Sequence, residues 1–250
     1  MPFRADQLVF RTREIYEAFH EFTNIIKTGS AGPTRCETDD KHDWTQWMGA
    51  VDADTLELTG HSFGGATSLA VLTAPPPPQF PALPIRHVLL LDPWVDPVPT
   101  PGPIPLTAPN PLDPSAPLTR PPLAVINSER FTLWKEHFGK LCDLAGGWRT
   151  EKDVDETAED EEATVENGAT LMTIVRARHD DFSDFPALMP FNAQRVQTLG
   201  STIQKLSLAF LADGLAEELA KEVRHDKVVI EHKKKKTLQG VFGEVLVHAH

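Results

Sequence analysis

The spacing of apolar positions changes several times along this chain, and each change marks an element. Between residues 5 and 27, Ile15, Phe19, Phe22 and Ile26 recur at 4-3-4 intervals and Gly29 follows as a stop, which predicts an amphipathic helix. Residues 30–50 are polar and irregular. Four short runs follow, at 56–59, 85–91, 123–126 and 170–175, each dense in Val, Ile, Leu or Thr with little polar alternation. Strands buried on both faces of a parallel sheet read this way. Helical runs at 65–72 and 132–144 separate the first strand from the second and the third from the fourth. The βαβ-like order predicts an α/β fold, a mostly parallel sheet flanked by helices. Further on, Val196, Leu199, Ile203, Leu206 and Phe210 keep a 3-4-3-4 spacing, which predicts a C-terminal helix to about Leu219. The final stretch, EHKKKKTLQGVFGEVLVHAH, reads as a solvated tail, with His248 and His250 in it and no other metal-ligand types nearby.

Composition alters this picture in two places. Residues 75–122 hold 18 of the 22 prolines. Proline cannot donate to a strand ladder, so extended surface loops around one strand are expected there. Residues 151–166 carry nine acids and one lysine, or −8 of the total charge of −12. Such a block predicts a solvated, poorly ordered insertion. The rest of the chain, at −4, reads as a single domain spanning 1–250. An acidic balance disfavours nucleic acid as a partner. No apolar run reaches the roughly 18 residues of a membrane span. The start, MPFRADQLVF, has no export pattern, and a cytoplasmic location is the expectation. Cys36 and Cys142 stand far apart, which argues against a disulfide scaffold or a thiolate zinc site.

The candidate chemistry begins at LELTGHSFGGATSLAVL, residues 56–72, where a strand-like run meets a serine between glycines and a small-residue helix follows. A chain that turns sharply from strand to helix holds the turn serine out at the carboxyl end of the sheet, and the glycines permit the close approach. This is the G-x-S-x-G nucleophile elbow, with Ser62 as nucleophile and the Phe63 backbone N–H aimed where an oxyanion forms. A serine nucleophile needs a base, and the base an orienting acid, in the chain order Ser, Asp or Glu, His. Asp92 ends the run 85–91 and is the candidate acid, with Asp96 as its competitor. His179 follows the run 170–175 and is the candidate base. Histidines 20, 42 and 61 precede or adjoin the nucleophile, His87 lies within a strand, His137 lies on a helix, and His225 and His232 fall beyond the last expected strand.

Four blocks in this order, GHSFGGAT at 60–67, LLLDPW at 89–94, INSERF at 126–131 and HDDFSDF at 179–185, resemble the platelet-activating factor acetylhydrolases of the lipoprotein-associated phospholipase A2 type. SLAFL at 207–211 is similar to that family's C-terminal helix. The resemblance implies an α/β-hydrolase fold with Ser62, Asp92 and His179 as catalytic triad. It also implies calcium-independent hydrolysis of a short or oxidised acyl ester at the sn-2 position of a phospholipid, at a membrane or lipid-particle surface, with no metal or organic cofactor. A general carboxylesterase and a remnant of little activity are the alternatives. The family has strands before the elbow and an H-G-x-G-like loop that supplies a second oxyanion donor, worth about 10²–10³ in rate. The 61 residues before Ser62 hold one long helix and no such motif, so a partial fold lacking the N-terminal strands is expected, with any partner chain unknown.

Overall fold

The computed structural model of the chain describes residues 2–30, 43–98, 120–148, 168–189, 193–232 and 237–249. Its frame is a six-stranded sheet in the order β1-β2-β3-β4-β6-β5. The first four strands, β1 (Leu56–His61), β2 (Ile85–Leu91), β3 (Leu123–Ser128) and β4 (Ala169–Ile174), run parallel to one another. All six residues of β3 are buried, as a central parallel strand covered on both faces must be. Their alternation sends Leu123 and Val125 to one face and Ala124 and Ile126 to the other.

Each face meets its own helices. Val88, Leu90, Leu123, Val125 and Leu171 pack with Leu69 and Val71 of α2 (Phe63–Thr73), Tyr16 of α1 (Pro2–Thr28) and Phe138 and Leu141 of α4 (Lys135–Gly146). On the other face Leu89, Ile126, Met172 and Ile174 meet Ile203, Leu206 and Phe210 of α5 (Ser201–Leu211) and Leu215 and Leu219 of α6 (Leu215–Leu219). Every residue of α2 from Gly65 to Val71 is buried, because α2 is itself covered: Leu8 of α1 settles on Ala66 and Ala70. Small side chains along α2 allow that close approach. The three-layer arrangement is an α/β-hydrolase-like fold, as expected.

Several elements differ from the sequence expectation. The face of α1 turned inward carries Leu8, Thr12, Tyr16 and Ile26, whereas Phe22 is exposed, so the buried stripe is rotated from the one read off the phenylalanines. The helix expected at 132–144 is two: a short α3 (Glu129–Thr132), capped by the Ser128 hydroxyl accepting from Phe131 N–H, and then α4. The C-terminal helix is entered through one turn at Ala193–Arg195 and a wider π-type turn at Val196–Gly200. It breaks at Asp213, whose φ is +58°, before α6. Two further strands join the sheet, β5 (Arg224–Val228) and β6 (Val245–His248), so His225 lies in a strand beyond those expected and His248 is a strand residue and not tail. The acidic block, residues 99–119 of the proline-rich stretch, Lys233–236, Cys36, His42 and His250 lie outside the described residues.

β6 pairs antiparallel with β4 and parallel with β5. A buried polar chain fixes it there. His248 Nδ1 lies 3.1 Å from the Val228 carbonyl, so it carries the proton and donates, and Nε2 accepts from the Thr173 hydroxyl at 2.7 Å. Thr173 in turn accepts from the Thr132 hydroxyl at 2.6 Å. Thr173 and Thr132 are fully buried, so removing the middle hydroxyl takes a buried hydrogen bond from each of its two neighbours. Thr173→Val is expected to cost about 1–3 kcal/mol in chemical denaturation; a loss indistinguishable from zero would mean that water takes the hydroxyl's place.

Candidate active site

Ser62 occupies the turn between β1 and α2 with φ 55° and ψ −120°, a conformation that costs a non-glycine residue about 1–3 kcal/mol. The surroundings over-determine it. Ser62 N–H donates to the Leu91 carbonyl at 3.1 Å, and the Ser62 carbonyl accepts from Trp94 N–H at 2.9 Å and Gly65 N–H at 3.1 Å. A Cβ on Gly60 would stand 2.4 Å from the Gly64 carbonyl oxygen, and one on Gly65 would stand 2.5 Å from Pro93 Cβ. Gly64, the motif glycine two after the serine, faces open space. The close approach across the elbow therefore rests on Gly60 and Gly65. Phe63, first residue of α2, presents a backbone N–H that the helix cannot use. Its ring is held beneath the N-terminal half of α1, with the guanidinium carbons of Arg11 and Arg4 at 4.7 and 5.2 Å from the ring centroid.

Asp92 follows β2 directly, with φ +44° and no solvent exposure. Asp92 N–H donates to the Ile126 carbonyl at 2.8 Å, which ties the turn to β3. Oδ1 accepts from Ser128 N–H at 2.6 Å, and Oδ2 lies 2.7 Å from His179 Nδ1. A carboxylate facing Nδ1 requires the proton there, which leaves the Nε2 lone pair toward the Ser62 hydroxyl at 2.9 Å. Ser62, His179 and Asp92 thus form one unbroken chain. The competitor Asp96 is engaged elsewhere, by the Lys140 ammonium at 2.5 Å.

His179 opens a short 3-10 turn (His179–Phe182) beyond β4, and the path to it is heavily tied. Arg176, at φ +66°, donates through its backbone N–H (2.9 Å) and its guanidinium (3.0 Å) to Glu129, a buried carboxylate. Arg178 N–H donates to Asp181 at 2.6 Å. Arg195 donates to Asp181 and, at 2.7 Å, to the Arg176 carbonyl. The imidazole itself sits between two rings. Phe131 stacks on one side at 4.7 Å and 18°, and His61 covers the other at 4.7 Å and 34°. His61 Nε2–H donates to the His179 carbonyl at 3.2 Å. Burial, and then the neighbouring His179, push the His61 pKa below its ordinary value, which favours a neutral ring beside the base.

All three side chains singled out from the sequence therefore converge on the rim formed by the carboxyl ends of β1, β2 and β4. Sequence reasoning missed the supports: Ser128 N–H, the Phe131 and His61 rings, and the Glu129–Arg176 pair. Four of these five residues stand inside blocks already noted, His61 in GHSFGGAT and Ser128, Glu129 and Phe131 in INSERF. Behind the rim lies His137, fully buried, with Nε2 accepting from Val95 N–H at 3.3 Å. Among the described residues no group of three or more His, Cys, Asp or Glu side chains is placed to hold a metal ion.

Two outcomes follow from this geometry. Gly65→Ala should abolish most labelling of Ser62 by a fluorophosphonate and lower the melting temperature, whereas Gly64→Ala should fold at least as stably, helped by the alanine's helix preference; equal losses in both would refute the steric assignment. Burial lowers the His137 pKa, so below the unfolded value near 6.5 the unfolded chain binds the proton more readily, and stability falls as pH drops through that range. Melting curves from pH 7.5 to 5 should show that decline, and it should be shallower in His137→Gln.

The family model described as platelet-activating factor acetylhydrolase, isoform II, matches residues 1–235, from α1 to just short of β6. No individual curated protein matches the chain.

Proposed function

Since the chain belongs to the platelet-activating factor acetylhydrolase isoform II family, an ester-hydrolase family, we propose that it cleaves the sn-2 acetyl, short-chain or oxidised acyl ester of phospholipids without calcium. The observation that carries this reading is the unbroken Ser62–His179–Asp92 contact chain, with 2.9 and 2.7 Å links. The Ser62 oxygen attacks the ester carbonyl as His179 Nε2 takes its proton. Asp92 holds the imidazole in the required tautomer and balances the imidazolium. The tetrahedral oxyanion accepts from Phe63 N–H. Collapse expels the lysophospholipid alcohol, protonated by His179. Water, deprotonated by the same nitrogen, then cleaves the acyl-enzyme and releases the free carboxylic acid. Nucleophile, base and orienting acid all come from side chains, so no step calls for a metal ion.

A lipid–water surface is the proposed place of reaction. Phe185, Leu188 and Met189, a few residues beyond the base, are all exposed, and Leu188 is 76% accessible. An apolar rim of this kind suits a substrate drawn from lipid. A fluorophosphonate probe is expected to label the wild-type protein and to fail on Ser62→Ala. With 1-alkyl-2-acetylglycerophosphocholine as substrate, turnover should persist in EDTA. Absence of labelling in a folded sample overturns the serine-hydrolase reading. Turnover of a nitrophenyl ester without any of the phospholipid would point instead to a general carboxylesterase.

A further inference from the structure

A concavity opens at the carboxyl ends of β3 and β4. It has a volume of about 750 Å³, and its walls carry four guanidiniums, from Arg130, Arg176, Arg178 and Arg195. Two of these are neutralised in place. Arg176 is paired with the buried Glu129 at 3.0 Å, and Arg195 with Asp181. Arg130 and Arg178 are exposed and have no ion-pair or hydrogen-bond partner for their side chains among the described residues. The cleft therefore holds two positive charges in excess, next to walls that are themselves fixed. The adjoining positions tie it to the triad: Arg178 directly precedes His179, and Arg130 directly precedes Phe131, whose ring lies on His179.

We infer that this arginine-lined cleft is a subsite for a phosphate group, the phosphodiester of the lipid whose sn-2 ester lies at Ser62. The inference rests on the phospholipid reading above and specifies how that substrate is held. Guanidinium suits the task, because its planar fork donates two parallel hydrogen bonds to phosphate oxygens. The two paired arginines form a rigid floor, and the two unpaired ones supply the charge an anion needs. In a glycerophospholipid the phosphate and the sn-2 ester hang from adjacent glycerol carbons, so an anion site flanking the base suits one molecule engaging both. Crevices beyond the carboxyl ends of parallel strands are where open α/β sheets bind ligands.

The test compares kcat/KM for 1-alkyl-2-acetylglycerophosphocholine with that for nitrophenyl acetate, which has no phosphate. In the Arg130→Gln/Arg178→Gln double variant the ratio of the two should fall about tenfold or more through KM for the phospholipid, since a charged hydrogen bond is the interaction removed. The corresponding Lys double variant should recover part of it. An unchanged ratio overturns the proposal. Binding is measured separately by calorimetry. Glycerophosphocholine should bind the wild-type protein and bind the Gln variant at least about tenfold more weakly. If inorganic phosphate binds wild type alone and glycerophosphocholine does not, the cleft serves a free anion and the diester assignment falls. A wild-type protein that hydrolyses neither ester would remove the hydrolase reading, while the binding measurement would still decide the cleft.

Discussion

Asp92 is a carboxylate with no contact to solvent, and an ionised group so placed is tolerated only when its charge is met by donors. Its two donors come from different strands. Ser128 N–H stands at the end of β3, and His179 stands beyond the end of β4. The backbone around Asp92 adds a third tie, because Trp94 N–H reaches the Ser62 carbonyl at the end of β1. Three strand ends thus meet at one buried charge, and the fourth is tied to the backbone beside it. The parallel register delivers them together: Leu91 pairs with His61 and with Ile126, and Ser128 pairs with Ile174. Displacing β2, β3 or β4 by a residue would leave the carboxylate short of a donor.

Positional control of the imidazole is of another kind. Two hydrogen bonds fix its tautomer and direction, but they leave it free to rock about the line joining them. The flanking rings of Phe131 and His61 close off that motion from both sides. Depressed basicity at His61 suits this place, because a second imidazolium against the first would oppose the charge that the proposed chemistry creates on His179. Glu129, Arg176, Asp181 and Arg195 then anchor the connecting segment, with backbone groups of Arg176 and Arg178 among the atoms held.

Legibility from sequence followed burial and locality. The inner parallel strands were readable because both faces are covered, so runs such as LAVI in β3 are continuously apolar, whereas β1, at the sheet's end with only Leu58 buried, was readable from its Leu and Thr content. Ser62, Asp92 and His179 were readable because each directly follows, or nearly follows, such a run. β5 was not: RHDKV is an edge strand with three exposed residues at its centre, and a polar edge strand has the composition of a loop. β6 is four residues long and reaches its place through Gly240 and Gly243 at positive φ, so VLVH looked like a fragment of tail. The rotated stripe on α1 was hidden for a related reason. Its inward face includes Thr12 and Tyr16, chosen by the shape of α2 and the sheet beneath and not by hydrophobicity alone. The rings around His179 depend on how distant segments meet, which no local spacing encodes.

The position of β6 has a consequence for how the molecule assembles. It is later in the chain than β5 yet sits between β5 and β4. While a ribosome is still extending the polypeptide, β5 emerges with no neighbour to pair with, and it must wait until the following residues have threaded into the gap beside β4. The order of synthesis and the order of zippering are therefore opposed along this edge. A nascent intermediate would hold the four parallel strands with the flank of β4 still uncovered, the kind of bare strand that other chains readily join.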